Sequence, residues 1–266
     1  MPRTSEPGRS VSSRLLEVLF AFQAGRTRMT LTELARRTGL PPPTTRRLAF
    51  ELMQAGALER AADGTLTIGT RLWQLGMLAP RTEPLRALAF PFLEDLYTAL
   101  HQHVQLAVLE KNQALIVERL SAPGAVSLVS RVGGYLPLHS SAVGKVLLAH
   151  AGGDVFDTVV ARGLSRLTPR TITGPARLRA ELAECRRTGT ATVAGETTEG
   201  VDSVATRIMD AAGQVVAALS VVIRSGSVTT ATVVPAVVAS GLGISRRLGW
   251  SPGARVQEGA AALLAR

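Results

Sequence analysis

The sequence predicts an α+β chain built in two parts, and two patterns carry that prediction. Over roughly the first seventy residues, apolar positions recur at helical spacing between capping and proline signals, then give way to a short hairpin. Beyond Leu100, alternating apolar runs that suit strands are followed by helical stretches, the arrangement of an antiparallel sheet with helices on its flanks.

A length of 266 residues suffices for two domains. Hydrophobic residues at 46% and a mean hydropathy of +0.20 describe an ordinary globular chain. Lys and Arg number 30 against 20 Asp and Glu, a formal charge of +10 that favours an anionic partner. Lys111 and Lys145 are the only lysines, so the charge is almost wholly arginine, which genome base composition explains as readily as recognition. The single cysteine, Cys185, leaves no internal disulfide and no cysteine cluster for zinc. The start, MPRTSEPGRS, lacks an apolar segment like that of a signal peptide, and the longest apolar runs fall short of the ~20 residues that cross a bilayer. A soluble cytoplasmic protein is expected.

Val11, Leu15, Val18, Leu19 and Phe22 predict an amphipathic first helix ending near Gly25. Thr30 and Glu33 form a capping box for a second, closed by Gly39. Three prolines follow. Proline is tolerated at the first helical position, so a third helix is expected from Pro43 to about Gln54, with Pro41 and Pro42 holding the lead-in extended. Its inward stripe is Thr45, Leu48, Ala49 and Leu52, which leaves Thr44, Arg46, Arg47 and Glu51 outward. LERAADGTLTIG reads as a hairpin turning at Asp63-Gly64. Helix, helix, tight turn, helix and hairpin make a winged helix-turn-helix plan, whose third helix enters the DNA major groove by its leading end. Thr44, Thr45, Arg46 and Arg47 are the expected DNA contacts, with Arg36 and Arg60 in support. A protein-docking module is the rival reading.

TRLWQLGMLAP predicts a helical linker, and LRALAFPFLEDLYTALHQ a helix opening the second domain. Strands are expected at VQLAVLE, ALIVERL, VSLVSRV, SVATRIM and VVAALSVVI, and helices at SAVGKVLLAH, DVFDTVVARG, ARLRAELAECRRTG and ATVVPAVVASGLGISRRLG. The expected domains are residues 1–69, a linker at 70–82, a second domain at 83–252 and a tail at 253–266.

LTELARRTGLPPPTTRRLAFELMQAGALER resembles the DNA-binding domain of IclR-type bacterial transcription regulators, and RVGGYLPLHSSAVGKVLLAH and GQVVAALSVVI resemble that family's effector domain. The resemblance implies a GAF-like second domain and a dimer, often a dimer of dimers, on a palindromic operator in double-stranded DNA. It also implies a small-molecule effector in a cavity to which Leu136, Ala142, Val143, Ser203 and Ser220 correspond; Val201 is placed with them. Pro42 and Pro43 stand where relatives often carry a polar residue and a serine, and acidic residues common near Val193 and Ala194 are missing before Glu196.

Hairpin geometry bears on the same cavity. With Asp210 to Gly213 as the loop, Met209 faces Gln214 and Ser203 falls opposite Ser220, so Ser203, Ala205 and Arg207 share a face with Ala218 and Ser220. Arg207, replacing a proline common in relatives, is a candidate partner for a carboxylate effector. HSSAVGK is not a phosphate loop, because His139 holds the place of the needed glycine; nor is it a Ser-x-x-Lys pair, because Ala142 precedes Lys145 by three. His139, Ser140 and Ser141 stand at a helix start, where serine caps and exposed N–H groups suit an anion. His101 and His103 are spaced to share a strand face, but a metal site would need a third ligand. No cofactor is expected. A hydrolase on the second domain would need a nucleophile with an activating base, and no such pair is apparent, so the chain is expected not to be an enzyme.

Overall fold

The computed structural model describes residues 10–24, 26–78, 83–124, 126 and 130–252. The chain divides into two compact units, Met1–Arg81 and Thr82–Arg266.

In the first unit, α1 (Val11–Phe20) is capped by Ser10 and continues into a 3-10 turn at Ala21–Ala24; the expected end at Gly25 lies outside the described residues. α2 (Leu31–Thr38) begins with the capping box, Thr30 N donating to Glu33 Oε2 at 2.9 Å and Glu33 N to Thr30 Oγ1 at 3.2 Å. It ends at Gly39, whose φ of 66° is the left-handed value that a residue without Cβ adopts cheaply. α3 spans Pro42–Gln54, one residue earlier than expected. Its first backbone bond, Thr45 N to Pro41 O at 2.9 Å, makes Pro41 the cap. Pro42 and Pro43 then occupy the first turn, where their missing N–H groups would have had no partner.

β1 (Leu58–Arg60) pairs with β2 (Leu66–Ile68) across a turn in which Asp63 Oδ1 accepts from Thr65 N and Oγ1. Met29 bridges to Leu66 and joins Val18, Leu34, Leu48, Leu52 and Leu58 in one core. α4 (Thr70–Met77) follows directly, with Thr70 N donating to Glu59 Oε1 at 2.7 Å. It is shorter than the expected linker, of which positions 79–82 lie outside the described residues.

The second unit is a six-stranded antiparallel sheet, in the order β5-β4-β3-β8-β7-β6. α5 (Glu83–Leu100) leads into β3 (His103–Glu110), β4 (Gln113–Leu120) and the short β5 (Tyr135–Leu136). α6 (Ala142–His150), α7 (Gly153–Ala161) and α8 (Pro175–Thr188) then precede β6 (Thr190–Ala194), β7 (Val201–Met209), β8 (Val215–Arg224) and α9 (Thr230–Arg247). VSLVSRV is not a strand where it can be seen: positions 127–129 lie outside the described residues, and Val126, Ser130 and Arg131 are irregular. β5 and β6 had no expectation; their runs of two and five residues are too short to show a period.

Alternation along the strands divides two cores. Val204 and Ile208 face α5 and α9, while Ala205 and Ala218 face α6 and α8. α9 lies so close to β7 that a Cβ on Gly241 would stand 2.4 Å from Thr206 Cγ2, which only glycine allows. Ser245 Oγ accepts from Met209 N at 2.9 Å and locks that contact.

The β7–β8 register differs from the expected one by two residues. Ser203 pairs with Val222, and Ser220 with Ala205. The turn extends through Gln214, whose N donates to Asp210 Oδ1, and an irregularity at Ile208/Met209 adds the second residue. An even slip preserves sidedness, so Ser203 and Ser220 still share a face.

Candidate functional site

The expected site residues gather in two places, one in each unit. In the first, α2, α3 and β1 bring Arg36, Arg46, Arg47 and Arg60 around a depression of about 1200 Å³, floored by apolar residues that include Leu40, Phe50 and Met53. Arg47 Nη1 pairs with Glu51 Oε1 at 2.7 Å, an i,i+4 contact that steadies it along the helix. Arg60 Nε donates to Gly64 O at 3.4 Å. Thr44 is half-buried outside the depression lining.

Thr45 must be corrected. It is 0% exposed, and its hydroxyl donates to Pro41 O at 3.2 Å and Leu40 O at 3.4 Å. A side chain on the inward stripe of α3 cannot also face a duplex, so Thr45 anchors the start of the helix.

In the second unit, a cavity of about 60 Å³ lies between the sheet and the start of α6. Six expected residues line it: Leu136, Ala142, Val143, Val201, Ser203 and Ser220. Gln105, Ser130, Ser141, Val193, Thr197, Thr198 and Val222 complete the wall. No lining side chain is ionisable. Gln105 Nε2 donates to Ser130 Oγ at 2.6 Å, and Thr197 Oγ1 to Ser140 O at 2.7 Å. Ser141 caps α6 by accepting from Gly144 N, while its own proton goes to Pro137 O at 2.6 Å. A Cβ on Gly144 would stand 2.5 Å from Pro137 O, so glycine is what lets the helix start nest there. The first intrahelical bond is Lys145 N to Ser141 O, which leaves the N–H groups of Ala142 and Val143 without intrahelical partners beside the cavity.

Gln105 was legible as a lone polar residue inside an apolar strand run. Thr197 and Thr198 carried no signal, because a loop brings them in.

Arg207 is the second correction. It shares the serines' face but lies toward the turn, away from the cavity lining. Its Nη1 donates to His150 Nε2 and to Arg186 O, both at 3.3 Å. Burial pushes the His150 pKa below its ordinary value; the bond from Nδ1 to Val146 O opposes this, and Arg207 and Arg186 add repulsion. Cys185 is buried, which pushes its thiol up to about 11 and keeps it protonated. His101 precedes β3 in a left-handed conformation (φ 49°) and is exposed, whereas His103 is buried with Nε2 donating to Val126 O at 2.7 Å. The two do not share a strand face.

Lys145 proves to be a buried ion-pair centre, contacting Glu181 at 2.5 Å and Glu196 at 2.6 Å while only 1% exposed. Nothing in the sequence linked three residues so far apart.

Comparison with known proteins identifies the family of each unit. Residues 79–246 match the family model described as "Bacterial transcriptional regulator IclR C-terminal", and residues 12–62 match the IclR helix-turn-helix domain. The chain is 31% identical over 220 residues to the Pca regulon regulatory protein of Pseudomonas putida, covering 82% of this chain and 75% of that one. It is 30% identical over 195 residues to the transcriptional repressor IclR of Escherichia coli, covering 72% and 71%. The structure of an IclR homolog from Microbacterium hydrocarbonoxydans, complexed with 4-hydroxybenzoate, is 37% identical with a TM-score of 0.83, covering 90% of this chain and 99% of that one. The chain therefore belongs to the IclR family of bacterial transcriptional regulators, with a helix-turn-helix DNA-binding domain ahead of a ligand-binding C-terminal domain.

Proposed function

We propose that this regulator reads a palindromic operator through Arg46 and Arg47, with Arg36 and Arg60 on flanking phosphates, and that a small organic acid in the C-terminal cavity sets its operator affinity. The observation that carries the reading is the cavity itself: Leu136, Ala142, Val143, Ser203 and Ser220, which correspond to the family's pocket, line one space beside the start of α6 together with Val201. The free N–H groups at that helix start are suited to a carboxylate without any arginine. The relative that holds 4-hydroxybenzoate makes that compound the first probe.

The cavity's about 60 Å³ is far below the several hundred Å³ of pockets that take drug-sized ligands. A single-ring acid then binds an opened form of the lining, and its preference for that form is what gives it leverage. A ligand that bound both forms equally would shift nothing. Two copies must place their reading helices about 34 Å apart to engage both half-sites. Leu16 and Phe20 on α1 and Trp73 on α4 are exposed apolar residues that suit a homo-oligomeric contact. Residues 1–69, 70–82 and 83–252 act in this reading as DNA-binding domain, linker and effector domain of a cytoplasmic protein.

A hydrolase is the second reading. The hydroxyls lining the cavity have no histidine or carboxylate among the lining side chains to activate them. Titration calorimetry with 4-hydroxybenzoate, beside gel shifts on fragments from the chromosomal neighbourhood with and without it, tests the proposal. Heat of binding with altered operator affinity supports it; ester hydrolysis without any selective DNA complex overturns it.

A further inference from the structure

We propose that Phe50 is a specificity residue that packs against the C5-methyl group of a thymine in the operator, one helical turn beyond the base read by Arg46. The inference rests on the reading that α3 enters the major groove. Phe50 is 55% exposed, an unfavourable place for a phenyl ring with no partner. Its position on the helix explains why it is there. Pro43, Arg46, Arg47 and Phe50 are spaced i, i+3, i+4 and i+7, which at 3.6 residues per turn keeps them within an arc of about 100°. That is the spacing with which one face of a recognition helix meets successive base pairs.

The surroundings decide what the ring meets. Phe50 lines the same depression as Arg36, Arg46, Arg47 and Arg60. An apolar protein partner docking there would have to desolvate those guanidinium groups, whereas duplex DNA supplies phosphates to them. Glu51, the acid that follows Phe50 in sequence, is already paired with Arg47. Within the major groove, the thymine methyl is the apolar feature that a phenyl ring can recognise, and phenylalanine is one of the side chains that contacts it. Pro43 at the leading end adds a second apolar surface on the same arc, so this face pairs charge with hydrophobic contact.

The test uses the full-length chain and duplexes that it selects from a random library. Each thymine of the selected half-site is replaced in turn by deoxyuridine, which removes only the methyl group. The expected result is one position per half-site where that change weakens wild type by about 5-fold, near the lower end of what a wrong base costs. Phe50→Ala should bind the thymine and deoxyuridine duplexes equally at that position, and Phe50→Leu should keep part of the difference. A wild type indifferent to every replacement would overturn the proposal, as would a Phe50→Ala variant that kept the full methyl sensitivity. The deoxyuridine series on wild type depends on no variant folding. If Arg46→Ala and Arg47→Ala select the same sites as wild type with undiminished preference, α3 is not the reading helix, and the Phe50 proposal falls with that reading rather than on its own.

Discussion

Lys145 Nζ lies 2.6 Å from Glu196 Oε1, the lysine 1% exposed and the glutamate side chain 9% exposed, one turn into the helix whose start borders the cavity. A pair buried this deeply is costly to break, because removing one charge leaves the other in low dielectric. Lys145→Met should destabilise the protein by about 3–5 kcal/mol in urea unfolding. The double variant Lys145→Met, Glu196→Gln should recover a substantial part of that loss. Glu181, 37% exposed, remains solvated in both.

Ser203 lines the cavity from β7, and a larger side chain there fills a space of only about 60 Å³. Ser203→Leu should abolish the calorimetric signal with 4-hydroxybenzoate and the effector response in gel shifts. DNA binding in the absence of the acid should stay within about 2-fold, because α3 belongs to the other unit. The overpacking cost should be about 1–3 kcal/mol.

Arg46 and Thr45 are adjacent on α3, yet one is exposed and the other fully buried. Arg46→Ala should cost about 1–3 kcal/mol of discrimination on operator DNA, with a smaller effect on nonspecific duplex. A phosphate contact would weaken both alike and reduce the salt slope by about 1. Thr45→Val should leave operator selectivity unchanged and cost about 1 kcal/mol of stability, the worth of its hydroxyl bond to backbone. Binding isotherms at several salt concentrations, with thermal melts, separate these outcomes.

His150 gives up its proton more readily in the native state than the ordinary value of 6.5 implies. As pH falls through that value, the unfolded chain takes up the proton first, so stability falls on acidification and is retained above it. His150→Gln should flatten the loss between about pH 7 and 5.5 in denaturation midpoints. Arg207→Ala should raise the His150 titration midpoint, followed by NMR, while leaving 4-hydroxybenzoate affinity unchanged, since Arg207 is outside the cavity lining.

Much of the fold was legible because local signals agreed with one another. The Thr30 capping box, Gly39, the proline run and the Asp63-Gly64 turn each set a boundary by backbone chemistry within a few residues. The apolar stripe of α3 placed Thr45 inside the core, and its assignment as a DNA contact failed because that stripe was overruled. β6 escaped notice for a related reason: five residues at a sheet edge hold too few periods to stand out. The cavity was partly legible, since period-two alternation keeps Ser203 and Ser220 on one face under any even slip of register.

By itself, the sequence determined the order of elements, the outward arginines of α3 and the parity of the strands bordering the cavity, because each follows from neighbours along the chain. Only the tertiary structure decided that Lys145 meets Glu181 and Glu196, that Thr197 and Gln105 reach one cavity, and that Arg207 turns to His150 instead. Those relations join residues tens of positions apart, and they come from the packing of sheet against helix, which no local pattern encodes.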